Sequence, residues 1–449
     1  MDDFLFNEFS TVSPAAWKQK IQVDLKGADY NDSLIWKSNE GIHVKPFYTS
    51  EDRHNNNVCL PKDGYKICQS IFVDDVIIAN KIAVDSLERG ATAIQFIAKN
   101  TFDYIVLFDK IDTKQTHIYL NFEFLDAAFI SEIEKYCKGN YIYFQIDIIG
   151  NLAKTGNWFS NLNADISEKA KFIDTVTNSI CVDASLYQNA GATIIQELAY
   201  ALAHTNEYLE LFGESIALKI HYIFSIGSNY FFEIAKLRAF RILVEVLFKE
   251  RGIKHTTIHV FTKPSLRNKT IFDYNVNMLR TTSECMSAIL GGSDTISNIS
   301  YDSIYHKSNE FGERIARNQL LILKEEAYLS EAHKFANGAY YIENTEKQFA
   351  EKALQLFKQI EKNGGFLKQL KKGTIQNKIS ENAGKQQELF DQNELILLGT
   401  NKLPSQNDRM KNELQIYPFL KKKNSKTLIV PILQRRLSEQ HEQNRLKME

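Results

Sequence analysis

No apolar run in this 449-residue chain approaches the ~20 residues that span a bilayer. The opening MDDFLFNEFS is acidic and lacks the basic region and apolar core of a secretory leader. A cytoplasmic protein with no membrane partner is the expectation. An excess of one charge is missing too: Lys+Arg 54 against Asp+Glu 55 leaves −1, so nothing marks nucleic acid as a partner. Seven prolines and twenty glycines are too few for a disordered or repetitive chain. The five cysteines (Cys59, Cys68, Cys137, Cys181, Cys285) are odd in number and scattered, with no common zinc spacing, which reads as free thiols in a reducing compartment. With 44% hydrophobic residues, such a length can bury a core of about 250–300 residues plus extensions.

Residues 1–65 read as an arm. Trp17, Trp36, Phe47 and Tyr48 are separated by polar turns such as DLKGADYND, and large aromatics so placed need a surface on the main body or on another subunit. From about Ile67 onward strands and helices alternate. The pattern predicts strands at 92–98, 117–122, 141–149, 180–184, 218–225 and 256–261. It predicts helices at 76–89, 124–138, 166–175, 191–212, 230–251, 274–290, 310–328 and 345–363. That repeat over residues 66–366 favours a closed (β/α)8 TIM-type barrel over an open sheet, and no G-x-G-x-x-G follows the first strand. Residues 367–449 read as linker and C-terminal extension, rich in Lys, Gln and Asn, ending in a short helix.

The segment CVDASLYQNAGATIIQELAYALAHTNEYL, from Cys181 to Leu209, poses the functional question. It reads as a buried strand, a turn, and a helix with Ile194, Ile195, Leu198 and Leu202 at helical spacing. The carboxyl end of such a strand is where α/β enzymes place their chemistry. Here it carries Ser185, Leu186 and Tyr187, none of which moves a proton at neutral pH.

Six segments in register carry a resemblance. They are Asn189-Ala190-Gly191-Ala192 with Gln196-Glu197-Leu198-Ala199; Phe231-Phe232-Glu233-Ile234-Ala235-Lys236-Leu237-Arg238-Ala239; Arg280-Thr281-Thr282 through Leu290-Gly291-Gly292; Arg314-Ile315-Ala316-Arg317-Asn318; Gly338-Ala339-Tyr340-Tyr341; and Glu361-Lys362-Asn363-Gly364-Gly365. Asp24-Leu25-Lys26-Gly27 adds a match in the arm. Together they resemble the methylmalonyl-CoA mutase family of adenosylcobalamin-dependent radical isomerases.

The departures are equally specific. The resemblance implies G-Y-H before the E-A-G-A segment, its histidine bonded to the substrate thioester. Leu186 stands in that place and Ser185 in the tyrosine's. The family's I-R-Q-Y-A-G appears as Ile67-Cys68-Gln69-Ser70-Ile71, so Ser70 replaces the radical-shielding tyrosine. The cobalt-ligating D-x-H-x-x-G is not found; the one D-x-H is Asp52-Arg53-His54, in the arm. No flavodoxin-like cobalamin domain is expected from the residues after 400.

The resemblance therefore implies a small, non-catalytic subunit, with no catalytic residue and no cofactor of its own. A large catalytic subunit would carry adenosylcobalamin and complete a heterodimer that isomerises methylmalonyl-CoA and succinyl-CoA. The alternative is the substrate-holding barrel of a split acyl-CoA mutase whose cobalamin domain is a separate protein. Arg238 and Arg280 are candidates for remnant CoA contacts, against a reading as ties between elements. Glu197 and Glu233 are expected as surface or interface charges. His255 and His259 have a helical metal spacing on what reads as a strand, and Lys421–Lys423 read as a solvated run.

Overall fold

The structure, a computed structural model, describes residues 8–53, 58–137, 141–254, 257–331, 334–420 and 426–449. Eight parallel strands form one sheet: β1 Lys66–Phe72, β2 Ala93–Ala98, β3 His117–Phe122, β4 Ile142–Phe144, β5 Ile180–Asp183, β6 Ile220–Ile226, β7 His259–Pro264 and β8 Thr295–Ile296. β8 returns to β1, with Thr295 opposite Lys66 and Ile296 opposite Ile67. Between β4 and β5 side chains take the place of a ladder: Asp183 N donates to the Asp147 carboxylate at 2.9 Å, and Asn178 bonds β4. The Asn178 carbonyl accepts from Phe144 N at 3.0 Å, and its side-chain amide donates to Ile142 O at 2.9 Å. The chain is a (β/α)8 TIM-type barrel.

Outward-facing Ile94, Phe96, Ile118, Leu120, Ile142 and Phe144 pack under the helices Val76–Glu88 and Ala127–Cys137. On the opposite side Ile180, Val182, Tyr222, Phe224 and Val260 pack under the helices Ile194–Phe212, Tyr230–Glu250 and Tyr340–Lys362. Each fully buried aliphatic or aromatic side chain contributes about 1.5–3 kcal/mol. The Ile194–Phe212 helix starts where its sequence dictates: Thr193 Oγ1 accepts from Gln196 N at 3.1 Å, and Gln196 Oε1 accepts from Thr193 N at 3.0 Å. All five cysteines are free and four are buried. Among the described residues no helix is long and apolar enough to cross a membrane.

The arm lies on the barrel. Trp36 stacks on Phe232 (ring centroids 5.3 Å apart), Tyr48 meets Tyr341 edge-on, and Ile42 is wholly buried in the helical core. Trp17 and Trp36 nevertheless remain 51% exposed. Glu40 reaches over the start of the Ile194–Phe212 helix and accepts its first N–H, from Ile194.

Beneath that contact Glu197 and Glu233 are buried, not surface charges as expected. Both pair with the wholly buried Lys236, at 3.0 and 2.5 Å, and Lys236 also donates to the Ser225 carbonyl at 2.6 Å. The helix–helix contacts of this side close over three paired polar groups, where composition alone reads solvated charge, and leave Glu197 Oε1 buried without a hydrogen-bond partner. Residues 367–449 also carry more structure than their composition suggests. Helices Phe366–Lys371 and Thr374–Asp391 bury Phe366, Leu370, Ile375 and Ile379 against the barrel helices.

Burial pushes the Glu40 carboxyl up to about 7, with Glu233 adding to it against the Ile194 N–H. Burial likewise pushes the Glu197 carboxyl up to about 8, against the opposing pull of Lys236. The folded chain then holds protons that the unfolded chain has released. This contribution to stability is complete below the ordinary Glu range and is lost as pH rises through 7 to 8. Thermal melts between about pH 5 and 8.5 should show Tm falling over this interval, and Glu40→Gln should flatten the fall. An unchanged slope in the variant would refute the assignment.

Candidate functional site

The inward positions of the strands fill the lumen. Cys68, Ala93, Tyr119, Tyr143, Cys181, Ile223 and Phe261, one from each of β1 to β7, form a closed buried cluster. The Tyr119 hydroxyl lies 2.7 Å from His259 Nε2 and 2.6 Å from Thr295 Oγ1, which brings in β8. The rings are stacked: Tyr143 on His259 at 4.3 Å, Tyr119 on Tyr143 at 4.8 Å, His117 on Tyr141 at 4.4 Å. Burial pushes the His117 imidazole down to about 4 and those of His221 and His259 below their ordinary value. A neutral stack of aromatic rings therefore occupies the barrel axis.

Above it, at the carboxyl ends of the strands, the inward residues are polar. Ser70 Oγ donates to Gln95 Oε1 at 2.7 Å and lies 2.8 Å from Ser297 Oγ; Gln95 Nε2 donates to Gln145 Oε1; Lys263 Nζ donates to Gln95 Oε1 at 2.6 Å. Asp183 accepts from Ser185, and burial still raises its carboxyl above the usual range. A cavity of about 80 Å³ lies here, lined by Asn121, Gln145, Asp147, Lys154, Asp183 and Leu186 among others.

Leu186 is 2% exposed, an apolar wall of that cavity with its face in the helical core. Its neighbour Tyr187 belongs to a buried chain: Tyr187 Oη is 3.1 Å from His204 Nδ1, His204 Nε2 is 3.1 Å from Asp147 Oδ1, and Tyr208 donates to the same oxygen at 2.7 Å. Burial raises the Asp147 carboxyl, but His204 and hydrogen bonds from Asp183 N and Tyr208 outweigh it and hold the group below its usual range. The rim is thus less bare of ionisable groups than Ser185, Leu186 and Tyr187 suggest. Asp183, Lys263 and the Asp147–His204 pair were not singled out from sequence. The signal for Asp183 and Lys263 is a polar residue two positions after an inward-facing one near a strand's carboxyl end; Asp147 caps a helix and His204 lies within one.

The remaining candidates fall outside this mouth. Arg238 is fully buried on the outer side of the barrel, bonded to Glu346 Oε2 at 2.6 Å and Asn337 Oδ1 at 2.9 Å. Arg280 donates to the Leu398 carbonyl at 2.6 Å, Asn277 Oδ1 at 2.8 Å and Thr270 Oγ1 at 3.1 Å. Both arginines tie elements of the chain together and do not face the lumen as CoA contacts would. His54, His255 and Lys421–Lys423 lie outside the described residues; His259 is luminal. Among the described residues no group of three or more His, Cys, Asp or Glu could hold a metal ion.

A family model, methylmalonyl-CoA mutase, matches residues 106–448. The chain belongs to the methylmalonyl-CoA mutase family. It is 34% identical over 443 residues to the methylmalonyl-CoA mutase small subunit of Porphyromonas gingivalis, covering 89% of this chain and 71% of that one. The large subunit from the same organism is 30% identical over 248 residues, 53% of this chain and 35% of that one. The methylmalonyl-CoA mutase of Rhizobium meliloti is 34% identical over 249 residues, of which this chain spans 35% of the length.

The family's corrinoid does not fit the residues at this mouth. A cavity of about 80 Å³ is far smaller than the ~300–1,000 Å³ of ordinary ligand clefts. His204, which bonds Asp147 of this lining, is wholly buried and bonded through both ring nitrogens.

If the luminal stack is a structural core, Tyr143→Ala should cost about 3–5 kcal/mol, as other large-to-small core changes do. Tyr119→Phe, which strips the hydroxyl from His259 and Thr295, should cost about 1–3 kcal/mol. Urea unfolding measures both. Costs near zero would mean that the lumen is loosely filled.

Proposed function

We propose that this chain is the structural small subunit of a two-subunit, adenosylcobalamin-dependent methylmalonyl-CoA mutase of the cytoplasm. The large subunit supplies the cofactor and the chemistry that interconverts methylmalonyl-CoA and succinyl-CoA. The observation that carries this reading is the filled axis: Tyr119, Tyr143, His259 and Phe261 pack across the lumen, where an acyl-CoA tail would need open space. Leu186 in place of a thioester-directed donor supports it, since leucine has nothing to give a carbonyl. The occurrence of separately named small and large subunits in one organism, both similar to this chain, supports the partner. So do the half-exposed tryptophans of the arm, which rests on the barrel (residues 66–366) and has apolar area left for a neighbour. What this chain contributes is interface area and stability for the partner.

Co-expression with the large subunit, followed by purification through a tag on this chain, tests the reading. A longer barrel protein carrying cobalamin should co-purify with mutase turnover. Lys263→Gln or Asp183→Asn in this chain should leave kcat of the complex within about twofold. Turnover by this chain with no companion barrel, or with only a small cobalamin-binding protein, would sink it in favour of the split mutase.

A further inference from the structure

The last segment of the chain runs as a strap along the barrel rim at the carboxyl ends of the strands. Leu428 N and Ile429 N donate to the Gly156 carbonyl after β4, Ile432 N to Ala153 O, Arg435 N to Asn189 O after β5, and Leu437 N to Arg267 O after β7. Gly156 makes the close approach of the strap possible, and Gly191 that of the Thr374–Asp391 helix. Both have positive φ, and a Cβ would fall 2.6 Å from the Ile429 carbonyl in one case and 2.7 Å from Ala383 Cβ in the other.

The strap borders two adjoining cavities of about 450 and 340 Å³ that share Arg267, Leu420, Arg435 and Arg436, and the Thr374–Asp391 helix lines the larger. We infer that this cleft binds an organic oxyanion, a phosphorylated or carboxylated small molecule with an apolar body. Volumes of this size suit such a ligand, and the lining divides accordingly.

Arg267 is only 8% exposed, yet its hydrogen bonds go to neutral acceptors: Nε to Gln386 Oε1 at 2.7 Å and Nη1 to the Arg435 carbonyl at 2.9 Å. Burial and the neighbouring Arg435 push its guanidinium down to about 10, with Glu439 opposing. Arg435 has an exposed side chain whose nearest carboxylate, Glu439, is 3.7 Å away. The oxygens of Glu439 already accept from Arg436 N and Leu420 N. Arg436 is paired with Glu442 at 2.7 Å, but its Nε is buried and without a partner. A buried cation lacking a carboxylate is costly, and two guanidiniums at one cleft form the donor set that oxyanions take.

Gln376 Oε1, also buried and unpartnered, is an acceptor for a ligand hydroxyl or amide. Ile379, Ala383, Val430 and Ile432 supply the apolar wall. Gly384 opens on the larger cavity: a Cβ there meets nothing within 4 Å.

The full-length chain should be titrated calorimetrically with pyrophosphate and with succinate, and its Tm followed with each. One of the two should raise Tm and bind with Kd below about 1 mM. Pyrophosphate alone would assign a phosphorylated ligand and succinate alone a carboxylated one. Arg435→Gln should weaken binding at least about tenfold. Gly384→Leu, which removes no hydrogen bond, should abolish it while leaving the fold intact. Arg267→Gln should do the same as Arg435→Gln; because it also loosens Gln386 and the strap, the other two variants carry the test if it does not fold. No binding of either probe at about 10 mM, or binding undiminished in Arg435→Gln and Gly384→Leu, overturns the inference.

Discussion

The stack of Tyr119, Tyr143 and His259 across the barrel axis is the constraint on which the rest turns. An eight-stranded barrel has a lumen just wide enough for side chains to fill. Filling it with rings, and bonding those rings to one another and to Thr295, makes the interior a core in the full sense. A barrel packed in this way keeps the (β/α)8 scaffold and turns its axis into a core. Its remaining chemistry must then lie on the rim and the outside.

Outside the lumen, the chain is held together by contacts distant in sequence. Glu40 from the arm caps the helix that carries Glu197, and Lys236 binds that glutamate to Glu233 on the next helix. On the rim, the terminal strap takes its backbone partners from the ends of three strands' connections. Arm, barrel and extension are therefore coupled through polar groups that each need the others in place. Long-range tethers of this kind make a folded unit from segments that have no core of their own.

Much of this was legible in the sequence, for different reasons in different places. The outward faces of β2 to β7 are runs of Ile, Val, Phe and Tyr, and the pattern marks them. β1 and β8 escape it because Lys66, Gln69 and Ser70 break the apolar run of the first, while β8 is a two-residue strand. The family was legible through short segments in register. Asp183, Lys263 and Asp147 were not, because a polar residue in an apolar strand shows its partner only when distant strands are side by side. Glu197 and Glu233 were misjudged on the same ground: a buried carboxylate looks like a surface one until the lysine that neutralises it is found. Residues 374–391 read as linker because the side chains that dock them, Ile375 and Ile379, are few among Lys, Gln and Asn.

The barrel has one seam. Everywhere else adjacent strands share a ladder, but between β4 and β5 the join is made by Asn178, whose carbonyl and amide both bond β4, and by the Asp147 carboxylate, which accepts from Asp183 N. With side chains in place of a ladder, this is where the ring has the fewest backbone hydrogen bonds to open, and local opening is easiest where such bonds are few. A companion molecule packed on the helices beside this junction would bear on the weakest part of the cylinder.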